Sequence, residues 1–257
     1  MTKKKVIAII PARMASSRFP GKPLVKILGL PMIEHVRRRA ALSSADEVYV
    51  ATCDQEIFDV VVQYGGKAIM TSDTHLDCTD RVEEAARKLN GDIIFMVQGD
   101  EPLFMPEVLD MVTAPLLQDT PDTSAQCTNL LSVITDEADF SSIDVVKAVL
   151  DNNQCVMYYS RSPIPYRRVQ NDCPLYRQTG IAAFKKEFLS KYQKLSATQK
   201  EITEGVGFLR ILENRYPILG VIYSNRTVGV DRPEDVPIVE KIIQEDPVQR
   251  ALYNRIA

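Results

Sequence analysis

The sequence has few of the residues on which many reactive or disulfide-bonded proteins depend. It holds two histidines, His35 and His75, so a histidine-based triad or metal site has few candidates. Its five cysteines are odd in number and scattered, without zinc-site spacing, which favours reduced thiols in a cytoplasmic protein. No run approaches the roughly 18 to 20 apolar residues that cross a bilayer. The apolar run at 6–10 is too short for a signal peptide.

A strong charge of either sign is also missing. Lysine and arginine together number 31, against 34 aspartates and glutamates, for a formal net charge of −3. Because a nucleic-acid-binding domain normally shows a basic excess, we expect no nucleic-acid partner, and the short apolar runs predict no membrane partner. A local cluster of cations would still suffice to bind a small anionic substrate.

Short apolar runs alternate with helical patterns over the first hundred residues. Buried strands are predicted at 5–10, 47–52, 67–71 and 92–97, and amphipathic helices between them. Asp54 is predicted to cap the helix that follows the second strand. This order predicts an α/β fold whose mostly parallel sheet is covered by helices.

The second half of the chain has a different pattern. A hairpin is predicted at 148–160, a strand near 174–184 and another at 216–224. Residues 199–215 predict one helix that contains two glycines, and 233–246 predict a closing helix. We therefore expect one domain over 1–257 with a hairpin-bearing lobe.

The loop after the first strand carries three cations, in the segment IIPARMASSRFPGKPL at 9–24. Arg13, Arg18 and Lys22 stand beside serines and a glycine, where loops at the carboxyl ends of parallel strands form a ligand crevice. Charge-assisted donors and close backbone N–H groups suit a triphosphate, although a solvated loop explains the same residues. The Walker motif is absent, so the segment is not a P-loop.

The segment VQGDEPL at 97–103 follows the fourth strand directly. Asp100 is placed to hold Mg²⁺ against a polyphosphate, and the Gln98 amide can read a base edge. The alternative is an ordinary turn in which Asp100 bonds nearby backbone N–H groups.

The segment VGVDRPEDV at 228–236 supplies another carboxylate. Asp231 precedes the predicted closing helix and is a candidate second metal ligand. Glu234 and Asp235 fall in the first helical turn, where acids complement the helix dipole.

Four segments in order resemble the 3-deoxy-manno-octulosonate (Kdo) cytidylyltransferases: IIPARMASSRFPGKPL, VQGDEP, YYSRSPIPY at 158–166 and GVDRPEDV. The resemblance extends from residue 6 to about 243, and acylneuraminate cytidylyltransferases are more distant relatives. It implies a Rossmann-like nucleotidyltransferase sheet and a homodimer formed through the hairpin-bearing lobe. The implied division is 1–145 for the nucleotide, 146–225 for the sugar and dimer, and 226–257 for a metal loop and helix.

The resemblance also implies a role for each matching residue. Nucleotide binding is implied for Arg13, Ser17, Lys22, Arg81 and Gln98. Catalysis is implied for Lys22, Asp100 and Asp231, the two aspartates through Mg²⁺, and Arg161 would meet the carboxylate of the sugar acid. The implied reaction transfers CMP from CTP to the anomeric hydroxyl of the sugar and releases pyrophosphate.

The chain departs from this family pattern at three places that we expect on the sugar side. Asp77-Cys78 replaces a Ser-Gly pair, Gln178 replaces a histidine, and Gly207-Phe208 replaces a Glu-Gln pair. Lost polar partners predict a changed acceptor, such as an amino-Kdo or a nine-carbon acid, for which Phe208 favours an apolar substituent. Alternatively Glu204, on the same predicted helix, compensates by bonding the sugar, and the acceptor is Kdo itself. Gln178, Glu204 and Phe208 are therefore candidate acceptor ligands beside Arg161. Another acidic acceptor, another nucleoside triphosphate and a non-catalytic nucleotide-binding regulator also remain open.

Overall fold

The computed structural model describes residues 3–16, 18–75, 77–118, 125–169, 172–225 and 227–257. The chain divides into unit 1, which joins Met1–Asp110 to Thr227–Ala257, and unit 2, Met111–Arg226. Within the described ranges, no helix is long and apolar enough to cross a membrane.

Strands and helices alternate along the first part of unit 1. They are β1 (Val6–Ala12), β2 (Lys26–Ile27), β3 (Leu30–Pro31), α1 (Met32–Ala41), β4 (Glu47–Thr52), α2 (Gln55–Gln63), β5 (Ala68–Met70), α3 (Cys78–Arg87), β6 (Ile93–Val97) and α4 (Glu107–Leu117), which continues into unit 2. The order β6-β1-β4-β5 is parallel at every pair. The predicted strands and the α/β fold are therefore confirmed, whereas α4 was not predicted.

The apolar runs explain why these strands lie inside. Every residue of β1 and of β6 is buried, as expected of parallel strands that are covered on both faces. Helix α1 buries Met32, Ile33, Val36 and Ala40, which recur at the spacing of one helical face.

Unit 2 combines a hairpin with longer strands. Its elements are β7 (Cys127–Val133), α5 (Glu137–Ser141), β8 (Lys147–Leu150), β9 (Val156–Ser160), β10 (Tyr176–Lys185), α6 (Lys186–Tyr192), α7 (Gln199–Glu204), α8 (Phe208–Glu213) and β11 (Ile218–Tyr223). Strand β7 lies between β11, to which it is parallel, and β10, to which it is antiparallel. Strand β8 pairs antiparallel with β10 and β9, which confirms the predicted hairpin.

The prediction of one helix over 199–215 is wrong. The backbone of Gly205 has φ 62°, a left-handed conformation that ends α7, and α8 begins after Gly207. Glycine adopts positive φ without the steric cost that a side chain carries, so the first internal glycine acts as a helix terminator.

The C-terminal part of unit 1 forms α9 (Asp235–Glu245) and α10 (Pro247–Ile256). The first confirms the predicted closing helix, and the second was not predicted. Val230, Val239 and Ile243 pack into one buried cluster with Ile27, Met32 and Leu103. This packing anchors the chain immediately before Asp231.

Candidate active site

The loop after β1 is closed by backbone bonds. Gly21 N–H donates to Met14 O at 3.0 Å, and Gly21 has φ 74°. Met14 N–H donates to the carboxylate of Asp54 at 2.7 Å. Although Asp54 occupies the N-cap position of α2, its side chain makes no cap bond there, so the predicted capping bond is wrong. Asp54 instead ties the cationic loop to the end of β4.

Lys22 joins two carboxylates where this loop ends. Its Nζ lies 2.7 Å from Asp100 Oδ2 and 3.6 Å from Asp231 Oδ1, and Arg18 Nη2 lies 2.8 Å from the same Asp231 oxygen. The Lys22 side chain is 13% exposed and that of Asp100 26% exposed, so this cluster is half-sheltered from solvent. The structure thus brings together Lys22, Asp100 and Asp231, the residues that the sequence predicts as catalytic.

Backbone contacts hold Asp231 in this cluster. Val230 N–H donates to Asp100 O at 2.9 Å, and a Cβ on Gly229 would lie only 3.2 Å from that oxygen. The Asp235 carboxylate accepts from the N–H groups of Asp231 and Arg232, both at 2.8 Å. Asp235 therefore shapes the loop that presents Asp231, a role the sequence analysis missed by treating it as a dipole partner. The close spacing of acids in DRPED was the available signal.

Gln98 follows β6 and contacts a cysteine. Its Nε2 donates to Cys78 Sγ at 3.4 Å, at the beginning of α3. Burial chiefly, and then the charges of Asp77 and Asp100, raise the pKa of the Cys78 thiol well above its usual value. The Asp77-Cys78 departure was expected on the sugar side, but the structure places Cys78 beside the predicted base-reading residue.

The remaining predicted nucleotide ligands differ in their surroundings. Arg13 is exposed directly after β1. Arg81 is only 3% exposed, and its Nη1 donates to Thr71 Oγ1 at 2.5 Å and to Ser72 O at 3.2 Å. Arg81 thus joins α3 to the segment after β5. Ser17 lies outside the described residues.

Arg161 follows β9 in unit 2 and is held from two sides. Its Nε donates to Glu204 O at 2.7 Å and its Nη1 to Ile143 O at 2.9 Å. The Glu204 carboxylate accepts from Ser160 Oγ at 2.7 Å and from Arg161 N–H at 2.9 Å. Glu204 therefore orients Arg161, whereas the sequence analysis expected it to bond a sugar hydroxyl.

The other two predicted acceptor ligands lie in different settings. Gln178 is half-buried on β10, beside an irregularity in its pairing with β7. Phe208 is 5% exposed and packs edge-to-face on Tyr159 and Phe184, with centroids 6.1 and 5.8 Å apart. Its ring lies in the core of unit 2, so the expected apolar contact between Phe208 and an acceptor substituent is corrected to a packing role.

The loop after β1 brings Lys22 to Asp100 at the end of β6 and to Asp231 in the loop before α9, an arrangement suited to an α/β enzyme that binds a polyphosphate. A cytidylyltransferase family model matches residues 7–221. The 3-deoxy-manno-octulosonate cytidylyltransferase of Geobacter metallireducens is 41% identical over 251 residues, which cover 93% of this chain and 98% of that protein. The 8-amino-3,8-dideoxy-manno-octulosonate cytidylyltransferase of Shewanella woodyi is 40% identical, covering 94% and 99%.

A solved structure gives the same result. That of a CMP:2-keto-3-deoxy-manno-octonic acid synthetase complexed with CTP matches with a TM-score of 0.87 and 34% identity, covering 94% of this chain and 99% of that one. The chain belongs to the cytidylyltransferase family. The resemblance stated from four motifs and the prediction of a CTP-dependent nucleotidyltransferase are confirmed.

Proposed function

We infer that the protein transfers CMP from CTP to the anomeric hydroxyl of an acidic sugar, Kdo or its 8-amino relative. The new phosphorus–oxygen bond forms at the α-phosphorus as the bond to pyrophosphate breaks, and the hydroxyl proton is released to solvent. The observation that carries this proposal is the Lys22 ammonium between Asp100 and Asp231, in a chain of this family.

The donor set suits Mg²⁺. Asp100 and Asp231 each direct a carboxylate oxygen toward the Lys22 ammonium, and both oxygens lie within 4 Å of Lys22 Nζ. Mg²⁺ binds one or two carboxylates together with phosphate oxygens and water. Among the residues that the structure describes, no group of three or more His, Cys, Asp or Glu could hold a metal ion. A bound Mg²⁺ would neutralise triphosphate charge and acidify the attacking hydroxyl.

The cations of the loop after β1 are proposed to bind the triphosphate. Lys22, Arg18 and exposed Arg13 belong to one loop, and Ser17 is proposed as a further phosphate ligand. Catalysis by positioning and charge neutralisation requires no covalent intermediate. Asp54 and Asp235 act indirectly, by fixing the loops that carry these groups.

The contact between Gln98 and Cys78 supports a choice of cytosine. The Cys78 sulfur accepts from Gln98 Nε2, which leaves Gln98 Oε1 as the free acceptor of this amide. We propose that Oε1 accepts from the exocyclic amino group of cytosine. Uracil carries an oxygen at that position, which would leave two acceptors opposed. Arg81 is proposed near the nucleotide as well, through the family pattern.

The charges around Arg161 support an acidic acceptor. The Glu204 carboxylate is oriented toward Ser160 and the Arg161 backbone, and the Arg161 guanidinium bonds the backbone carbonyls of Glu204 and Ile143. Planar guanidinium groups bind carboxylates in a bidentate manner. Gln178 is the half-buried polar residue that we propose for the sugar hydroxyls or an amino substituent.

A homodimer and a cytoplasmic location belong to the same proposal. Large apolar side chains in and around the hairpin of unit 2 are more than half exposed: Ile143, Met157, Tyr166 and Val169. Exposed apolar groups of this kind support a protein contact through the hairpin. All five cysteines are free thiols, which fits a reducing compartment.

The decisive test is pyrophosphate release by the purified protein with CTP, Mg²⁺ and a panel of sugar acids that contains Kdo and the 8-amino acid. Turnover with one of these acids supports the proposal. Equal or better turnover with UTP, GTP or ATP would favour a different nucleotidyltransferase. Binding of CTP without turnover on any acid would favour a non-catalytic regulator.

A further inference from the structure

Lys147 bonds the backbone carbonyl of Arg161 and has no role in the reaction proposed above. Lys147 on β8 has 0% exposure, and its ammonium donates to the backbone carbonyls of Ser142 and Val145, both at 2.7 Å, and to that of Arg161. Three donated bonds require three N–H groups, which only the charged ammonium provides. The structure therefore holds a buried positive charge at this point.

Lys147 and Arg161 both bond backbone carbonyls of one short segment, residues 142–145. Arg161 Nη1 bonds the carbonyl of Ile143, between the Ser142 and Val145 carbonyls that Lys147 bonds. In the register of the hairpin, Lys147 also stands opposite Ser160, the neighbour of Arg161. A single segment, 142–145, thus fixes both charges close together.

Glu204 is the acid whose charge acts on Lys147 together with the charge of Arg161. Among the described residues, no carboxylate lies within 4 Å of the side-chain nitrogens of Lys147 or Arg161. The oxygens of Glu204 are taken up by Ser160 Oγ and Arg161 N–H. Lys147, Arg161 and Glu204 by themselves carry two positive charges and one negative charge, and the other acid of the segment, Asp144, is exposed.

An excess of positive charge in a position sheltered from solvent raises the free energy of the folded protein unless an anion lies close to it. Burial chiefly, and then the charge of Arg161, lower the pKa of Lys147, which agrees with an electrostatic cost in the absence of an anion. An acceptor carboxylate beside Arg161 would relieve the repulsion between the two cations.

We propose that Lys147 is a positioning residue of the acceptor site, which orients Arg161 through its backbone carbonyl and supplies buried positive charge that favours a carboxylate over a neutral group. This proposal rests on the proposed function, because it concerns the same acidic sugar. It assigns Lys147 no contact with the acceptor.

The test separates charge from structure. An acceptor analogue that lacks the anomeric hydroxyl is prepared as the free acid and as its methyl ester, and calorimetry gives both dissociation constants. The measured quantity is the ratio of the ester Kd to the acid Kd. For Lys147→Met, which keeps an unbranched side chain of similar size and removes the charge, we expect this ratio to fall about three- to tenfold.

Two further variants make the result unambiguous. Glu204→Gln can still bond Ser160 and Arg161 N–H but removes the negative charge, so the ratio should rise. Lys200→Met makes the same substitution at an exposed lysine that pairs with Glu213, and should leave the ratio unchanged.

Each outcome decides the proposal. If Lys147→Met weakens acid and ester equally, Lys147 is merely structural and the proposal is overturned. If Lys147→Met does not fold, Glu204→Gln decides, and an unchanged or lower ratio overturns the proposal. Failure of the wild-type protein to turn over any sugar acid would instead refute the proposed function.

Discussion

Lys22 Nζ lies 2.7 Å from Asp100 Oδ2, which joins the loop after β1 to the end of β6. The two residues are 78 positions apart in the sequence, and parallel neighbouring strands bring them to the same sheet edge. In the proposed reaction, Lys22 would bind phosphate and Asp100 would bind a cation once substrate is present.

Asp100→Asn and Asp231→Asn should each reduce kcat by about a hundredfold or more, because each would remove a charge that the proposed reaction uses to stabilise the transferring phosphoryl group. Steady-state pyrophosphate release at saturating Mg²⁺ measures the effect, and circular dichroism checks the fold. Near-wild-type rates in both variants would show that the metal assignment is wrong.

Lys22→Ala should weaken CTP binding and slow transfer while changing the thermal midpoint little, because a loop lysine contributes little to the core. Calorimetric titration with CTP and a melting curve test this expectation. A variant that unfolds readily yet shows normal kinetics per folded molecule would make Lys22 a structural residue.

Asp235→Ala should lower kcat by roughly tenfold or more, because the N–H groups of Asp231 and Arg232 lose their common acceptor and a candidate ligand loses its orientation. Glu234→Ala is the matched control, since this exposed acid precedes α9 and its side chain makes no cap bond. Equal losses in the two variants would indicate a helix-dipole effect instead.

Stability should fall as the pH decreases from about 6.5 to 4. Burial chiefly lowers the pKa of His35 to about 4, and the ring bonds Ile27 O at 2.9 Å. In this window the unfolded chain binds a proton that the folded chain does not, so the free energy of unfolding decreases with falling pH, by up to roughly 3 kcal/mol.

His35→Gln should flatten this pH dependence, because the substitution removes the imidazole whose pKa differs between the folded and the unfolded chain. Urea unfolding at several pH values gives the required free energies. An unchanged slope in His35→Gln would show that other groups produce the acid sensitivity.

Kdo should be a poorer acceptor than the 8-amino acid or a nine-carbon acid, because Gln178 and Gly207 replace polar groups of the family pattern. Unpaired sugar hydroxyls would cost roughly 1 to 3 kcal/mol each, or about a decade in kcat/KM per 1.4 kcal/mol. Measured kcat/KM values decide the question. A value for Kdo at or above those of all other acids tested would make these substitutions neutral.

The local sequence determined the strands of unit 1 and the location of the candidate site. The β-branched apolar runs predict the parallel strands of unit 1, because such runs are stable when buried on both faces. Cations and carboxylates directly follow those runs. Because the carboxyl ends of parallel strands meet at one edge of the sheet, these residues predict a phosphate-binding and metal-binding site at that edge. The family resemblance adds roles for individual residues, which geometry alone does not supply.

Only the tertiary structure decided which side chains bond the backbone of the loops at the candidate site. Asp54 bonds Met14 N–H and Asp235 bonds Asp231 N–H, whereas sequence position alone suggested a helix cap and a dipole partner. Phe208 lies in the core, since its neighbours Tyr159 and Phe184 come from strands distant in sequence. Lys147 shows no signal in the sequence, because a buried ammonium depends on three carbonyls that converge only when the chain is folded.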